Sequence, residues 1–247
     1  VDIWHGDRTA EDREGEAKYS VIIVNTRYAR RLEAVLRSLA HQKDFDLGKL
    51  EVIICYVPGI DTTDDLIDSV RAAYPRLRVL RSPFPEQHVR SKGFIINESL
   101  RMASGEWVVF LDADTLVAPT MFANVEKVEA DSYFIAPDGR KMLTPEITAK
   151  VLLGEIEPWN EWDELLKGPG EMRLRESHGV PIGFCQCVRA TCLDEVRYLE
   201  MDHFEGSDMQ FGLHMLRRFG AATRLIGLPA LHLDHGGSQW YGTQKHF

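Results

Sequence analysis

The segment Tyr19 to Asn25 (YSVIIVN) is a short, β-branched apolar run of the kind that forms a strand covered on both faces. From Arg30 to Ala40, Leu32, Val35, Leu36 and Leu39 recur at helical spacing, which predicts an amphipathic helix behind that strand. The alternation repeats. Leu50 to Val57 predicts a strand, Thr62 to Tyr74 a helix after the capping side chains Asp61 and Thr62, and Leu77 to Arg81 a third strand. Pro83 and Pro85 interrupt the chain; Lys92 to Ala103 then predicts a helix closed by Ser104-Gly105, and Glu106 to Leu111 another strand. Strands and helices in this order predict an α/β protein with a mostly parallel central sheet flanked by helices.

The second half is less regular. Its pattern predicts helices over Met121 to Glu129 and Lys141 to Leu153, a strand over Tyr133 to Ala136, and a long ordered loop from Glu155 to Arg175 that holds Trp159 and Trp162. Phe184 to Arg189 reads as a strand, Ser207 to Phe219 as a helix and Thr223 to Leu233 as a final strand. Residues 1–18 are polar and read as a tail or linker, leaving 19–247 as a single domain.

Charge narrows the partners. A formal net charge of −9 excludes a broad nucleic-acid surface, which needs clustered Lys and Arg. A small phosphate ligand is compatible with an acidic chain when a divalent cation supplies the local positive charge. No apolar run approaches the roughly 20 residues that span a bilayer, so no transmembrane segment is expected. The expected place is the cytoplasm, with a peripheral membrane position as the variant. Cys55 lies in an apolar run, and Cys185, Cys187 and Cys192 lack the C-x₂-C spacing of structural zinc sites, so all four are expected as buried thiols.

Asp112-Ala113-Asp114 closes the apolar strand Trp107 to Leu111. Two acids at the end of a buried strand are costly without a cation, and hard oxygen ligands select Mg²⁺ or Mn²⁺. The carboxyl edge of an open α/β sheet is also where ligands bind. Taken alone, the triplet reads equally as a turn with solvated acids.

The stretch from Tyr19 to Thr115 resembles the nucleotide-binding half of the family 2 glycosyltransferases. The resemblance rests on Asn25-Thr26-Arg27, on Arg90-Ser91-Lys92-Gly93, and above all on Ala103 to Asp114 with its Asp-x-Asp triplet. It implies the GT-A fold, a Rossmann-like sandwich, with 19–118 as the nucleotide-sugar-binding half and 119–247 as the acceptor-binding half. It also implies a nucleotide-sugar donor, UDP-linked in most of the family, a glycan or other hydroxyl acceptor, and transfer with inversion. Asp114 is then a metal ligand and Asp112 a contact to ribose or metal, with Asn25, Arg27, Tyr56, Arg90, Lys92 and Ala113 at the donor. The second strand departs from the family's pattern, ending in Cys55-Tyr56-Val57-Pro58-Gly59 where an acidic pair is usual; Tyr56 is either a stacking platform for the base or a buried structural ring. Arg90 and Lys92, read without the family, are solvated charges at a helix start.

Phe204 to Gly212 resembles the family's acidic motif at a helix start, which makes Asp208 the general base for the acceptor hydroxyl and places Gly183, Glu205 and Ser207 at the acceptor. The plain alternative is that Ser207 or Asp208 caps the helix. In Leu231-His232-Leu233-Asp234-His235 the resemblance implies one further metal ligand, His235 first and His232 second, because alternation along a strand puts the two on opposite faces. Gln239, Trp240, Tyr241 and Lys245 would then join a lid over the donor, and the whole chain would be a piece of a multidomain synthase. Two other classes fit part of this pattern. A nucleotidyltransferase usually opens with a glycine-rich loop after its first strand, and Asn25 to Arg31 has no glycine. A non-catalytic sugar- or nucleotide-binding domain is the other.

Overall fold

The computed structural model describes residues 17–175, 177–201 and 206–235. The first half follows the predicted alternation: β1 (Tyr19–Asn25), α1 (Ala29–Ala40), β2 (Leu50–Tyr56), α2 (Thr63–Ala73), β3 (Arg78–Pro83), α3 (Lys92–Ser99) and β4 (Trp107–Asp112). The second half adds β5 (Thr115–Leu116), α4 (Met121–Val128), β6 (Phe134–Pro137), β7 (Gly139–Met142), α5 (Pro145–Leu152), α6 (Trp162–Lys167), β8 (Glu171–Leu174), β9 (Cys185–Arg189), α7 (Ser207–Phe219), β10 (Thr223–Leu225) and β11 (Ala230–His232).

Seven strands form the central sheet in the order β10-β6-β9-β4-β1-β2-β3. All its pairs are parallel except those of β9, which runs antiparallel to β4 and β6. Side chains of β1 alternate between its two faces. Tyr19, Val21 and Ile23 pack with Leu32, Leu36 and Trp107 on one side, while Ile22 and Val24 pack with Ile53, Phe110 and Phe211 on the other. Burial on both faces is why β1, β2 and β4 read as mostly apolar runs. All four cysteines are buried free thiols, and burial pushes the Cys55 thiol up to about 12.

A second sheet, β5-β11-β7-β8, lies beyond the end of β4. Three expectations are corrected here. Lys141 and Met142 belong to β7 and not to a helix, which starts at Pro145 behind the N-cap Thr144. The expected loop from Glu155 to Arg175 contains α6 and the edge strand β8. The expected single strand from Thr223 to Leu233 is two, β10 and β11, separated by a turn in which Gly227 adopts φ of +73°. The folded region also reaches back past Tyr19: Ala17 is buried, and the Lys18 N–H donates to the Lys49 carbonyl. Among the described residues no helix is long and apolar enough to cross a membrane.

Candidate active site

Parallel register brings the ends of β1, β2 and β4 to one edge, with Val24 opposite Asp112 and Asn25 opposite Tyr56. Asp112 there meets Lys92, the first residue of α3, at 3.0 Å between Nζ and Oδ1. Lys92 is only 8% exposed. Burial works against its charge, but Asp112, Asp208 and Asp114 outweigh it and hold the ammonium above its ordinary pKa. Burial likewise pushes Asp112 and Asp114 above the carboxylate range, against the pull of Lys92 on the first and of His235, Arg31, Arg140 and Lys92 on the second. For Asp112 and Asp114, burial at this edge therefore outweighs the positive charge within reach.

Asp114 reaches both histidines. Its Oδ1 lies 3.5 Å from His232 Nε2 and its Oδ2 lies 3.4 Å from His235 Nε2. Antiparallel pairing explains the first contact: β11 sets His232 opposite Thr115, and the Leu233 N–H donates to the Asp114 carbonyl at 2.9 Å. Ligand atoms from Asp114, His232 and His235 lie within 4.8 Å of one another. Burial, with Arg140 and His235 adding to it, lowers His232 to about 3, so its ring is the neutral form that a metal requires. Its Nδ1 is buried with no hydrogen-bond partner, leaving a donor nitrogen to spare. These residues fit a divalent cation. Both histidines stand against Asp114, because the chain leaves the strand after His232 and alternation stops applying there. Asp112 stands apart from this group and pairs with Lys92.

Asp208 lies in the first turn of α7, whose N-cap is Gly206 with φ of +79° and no side-chain cap bond. Its Oδ2 instead accepts the Gly183 N–H at 2.7 Å. A Cβ at position 183 would stand 2.6 Å from that oxygen, so glycine there permits the approach. Behind it, the buried Gln186 amide donates to the carbonyls of Pro181 at 2.8 Å and Asp208 at 3.1 Å, and its Oε1 accepts the Tyr198 hydroxyl at 2.6 Å.

The other expected residues divide. Asn25 shapes the loop after β1: its Nδ2 donates to Thr63 Oγ1 at 2.8 Å and its Oδ1 accepts the Tyr28 N–H at 3.2 Å. Tyr56 is 3% exposed with its hydroxyl on Asp64, so its ring is enclosed in the core. Arg27 and Arg90 are exposed, Ala113 and Ser207 are buried, and Glu205 lies outside the described residues, as do residues 239–245. Arg31 and Arg140 were not anticipated. Arg31 donates twice to the Asp234 carbonyl, and Arg140 on β7 stacks over the Phe184 ring at 5.2 Å while its charge acts on Asp114 and His232.

Residues 17–224 match the family model described as Glycosyltransferase like family 2. No curated protein matches the chain. Among solved structures, the mannosyltransferase PcManGT from Pyrobaculum calidifontis, in complex with GDP-Man and Mn²⁺, superposes with a TM-score of 0.65 at 21% identity over 90% of this chain and 59% of its own. TarS 1–349 of S. aureus with UDP-GlcNAc gives 0.65 at 17% identity over 92% of this chain and 61% of its own. Glucosyl-3-phosphoglycerate synthase from Mycobacterium tuberculosis, with Mn²⁺, UDP and glucosyl-3-phosphoglycerate, gives 0.54 at 16% over 89% and 73%. At such identities the likeness is one of fold, the GT-A fold, and the chain spans about three-fifths of the length of the first two.

Proposed function

Because the chain belongs to the Glycosyltransferase like family 2, we propose that it moves a sugar from a nucleoside diphosphate donor, a UDP-sugar in the first instance, to a hydroxyl acceptor with inversion. The observation that carries this is the convergence at one sheet edge of a carboxylate held by a main-chain N–H, Asp208, with a lysine–carboxylate pair and an Asp-His-His group. Asp208 takes the proton of the acceptor hydroxyl as its oxygen bonds to the anomeric carbon, and the bond from that carbon to the diphosphate breaks on the opposite side. One base acting in one displacement gives inversion. Lys92 presents positive charge to the departing diphosphate from inside the fold, where a charge counts for more than in water.

Asp114, His232 and His235 would hold a divalent cation, with Asp112 on Lys92 outside that group. Two imidazoles suit Mn²⁺ better than Mg²⁺, which favours oxygen ligands. Bound there, the cation supplies Lewis-acid neutralisation of the diphosphate oxygens. Asn25 shapes the donor loop, Arg27 and Arg90 are exposed, and Gly183 with Ser207 borders the acceptor.

Incubation of the chain with UDP- and GDP-sugars, Mn²⁺ and a panel of hydroxyl acceptors tests this. Release of nucleoside diphosphate by the wild type and its loss in Asp208→Asn, with donor affinity kept, is the expected result. Release of pyrophosphate would make it a nucleotidyltransferase, and binding with neither product would make it a binding domain.

A further inference from the structure

Two of the three residues read above as cation ligands are fixed by the small sheet itself, Asp114 and His232 through the pairing of β11 with β5. His235 lies beyond the end of β11 and has no ladder to hold it. Its main chain is held through the preceding residue. The Asp234 N–H donates to Thr148 Oγ1 at 2.8 Å, and its carbonyl accepts from Arg31 Nε at 3.0 Å and Nη2 at 2.7 Å. Arg31 is 6% exposed, and its guanidinium lies over the Tyr28 ring at 4.9 Å, with the His235 ring 5.7 Å from that same tyrosine.

We propose that Arg31 is the positioning residue of the cation site: its two-pronged hold on the Asp234 carbonyl, across 203 residues of sequence, aims His235 at Asp114. The proposal rests on the cation site described above. A fork of two N–H groups on one oxygen fixes a peptide in direction as well as distance, which a single ammonium cannot do. Electrostatics alone predicts the opposite sign. Arg31 is among the charges that pull down the Asp114 pKa, so it is near enough to repel a divalent cation. Removing its charge would therefore tighten the cation if charge were all that mattered, whereas losing the hold on His235 loosens it.

The test is Mn²⁺ binding to the full chain, followed through the free-ion electron paramagnetic resonance signal. Arg31→Met is expected to weaken Mn²⁺ by about tenfold, within the range seen when the support of a metal ligand is removed. Arg31→Lys should lose less, and Arg31→Met combined with His235→Ala should bind no worse than His235→Ala alone, since Arg31 acts through His235. Affinity in Arg31→Met equal to or tighter than wild type, or losses that multiply in the double variant, would overturn the proposal. Melts of the metal-free chains report folding. If Arg31→Met does not fold, Arg31→Lys decides, and unchanged Mn²⁺ affinity in folded Arg31→Lys overturns it. A wild type that binds no Mn²⁺ at all overturns the cation site itself, and Arg31's role with it.

Discussion

The Gly183 N–H donates to Oδ2 of Asp208 at 2.7 Å, and this bond, in place of a helix cap, sets where the carboxylate points. A methyl at position 183 would collide with the carboxylate at 2.6 Å from Oδ2 and 2.7 Å from Cβ. Rotation about χ1 moves the carboxylate but leaves the Asp208 Cβ in place, so the backbone at one of the two positions must shift as well, and both geometry and stability suffer. Gly183→Ala is expected to lower kcat by at least about tenfold, since misplacing a general base forfeits part of the 10²–10⁴-fold such groups contribute. Its stability should fall by about 1–3 kcal/mol, the cost of overpacking, so kcat is read on the folded fraction. Unchanged kcat in a folded Gly183→Ala would remove Asp208 from the base role.

Asp112 and Asp114 are both pushed above the carboxylate range by burial, and a cation beside them relieves that cost. Saturating Mn²⁺ should therefore raise the thermal midpoint, by about 2.7 kcal/mol of stability at a hundred times the dissociation constant. His232→Ala, His235→Ala and Asp114→Asn should each abolish most of that gain, and a chelator should stop transfer until Mn²⁺ is returned. A wild-type midpoint indifferent to Mn²⁺ would contradict the assignment.

Lys92 has its pKa raised by Asp112, Asp208 and Asp114 in spite of burial. A cation whose folded pKa exceeds its unfolded one stabilises the fold fully below the unfolded value, about 10.4 for lysine, and that stability is lost as pH climbs through the folded value. The wild type should therefore lose stability above about pH 10.4 by a component that Lys92→Met lacks. At neutral pH Lys92→Met should be the less stable chain by about 1–3 kcal/mol, less than for a fully buried pair because the Asp112 side chain keeps 29% of its surface exposed and is partly rehydrated. Thermal melts of both chains from pH 8 upward, on the order of half-unit steps, decide this. Parallel curves through the alkaline range would show that Lys92 contributes nothing there.

The strands that build the central sheet were legible because burial on both faces leaves a mostly apolar run, as in Val52 to Tyr56. β7 was not, since Arg140 and Lys141 are polar: Lys141 is buried, but its Nζ donates to the Leu166 and Gly168 carbonyls, a contact that no local pattern announces. β8 is an edge strand with exposed residues and looks like loop for that reason. Asp114 was legible from its place at the end of an apolar strand. The joint approach of both histidines was hidden because it depends on where β11 stops. Arg31 and Gln186 were hidden for another reason: each acts on a main-chain carbonyl distant in sequence, and carbonyls leave no mark on the residue type that carries them.

Gln186 gives the last prediction. Its amide ties the Pro181 carbonyl, just ahead of Gly183, to the Asp208 carbonyl at the start of α7, so the two halves of the base's setting meet in one buried side chain. Tyr198 donates its hydroxyl to the other end of that amide, and burial, together with Asp208 and Asp112, holds the phenol well above its ordinary pKa, so it remains a donor. Gln186→Leu leaves the Pro181 carbonyl and the Tyr198 hydroxyl without this partner in the interior, at about 1–3 kcal/mol for each group left unsatisfied, while the Asp208 carbonyl keeps its place in the α7 ladder. The donor and cation groups on Lys92 and Asp114 make no contact through this amide, so donor affinity should persist while kcat falls. A fall in kcat matched by an equal loss of donor affinity would mean that Gln186 supports the sheet as a whole and not the carboxylate of Asp208.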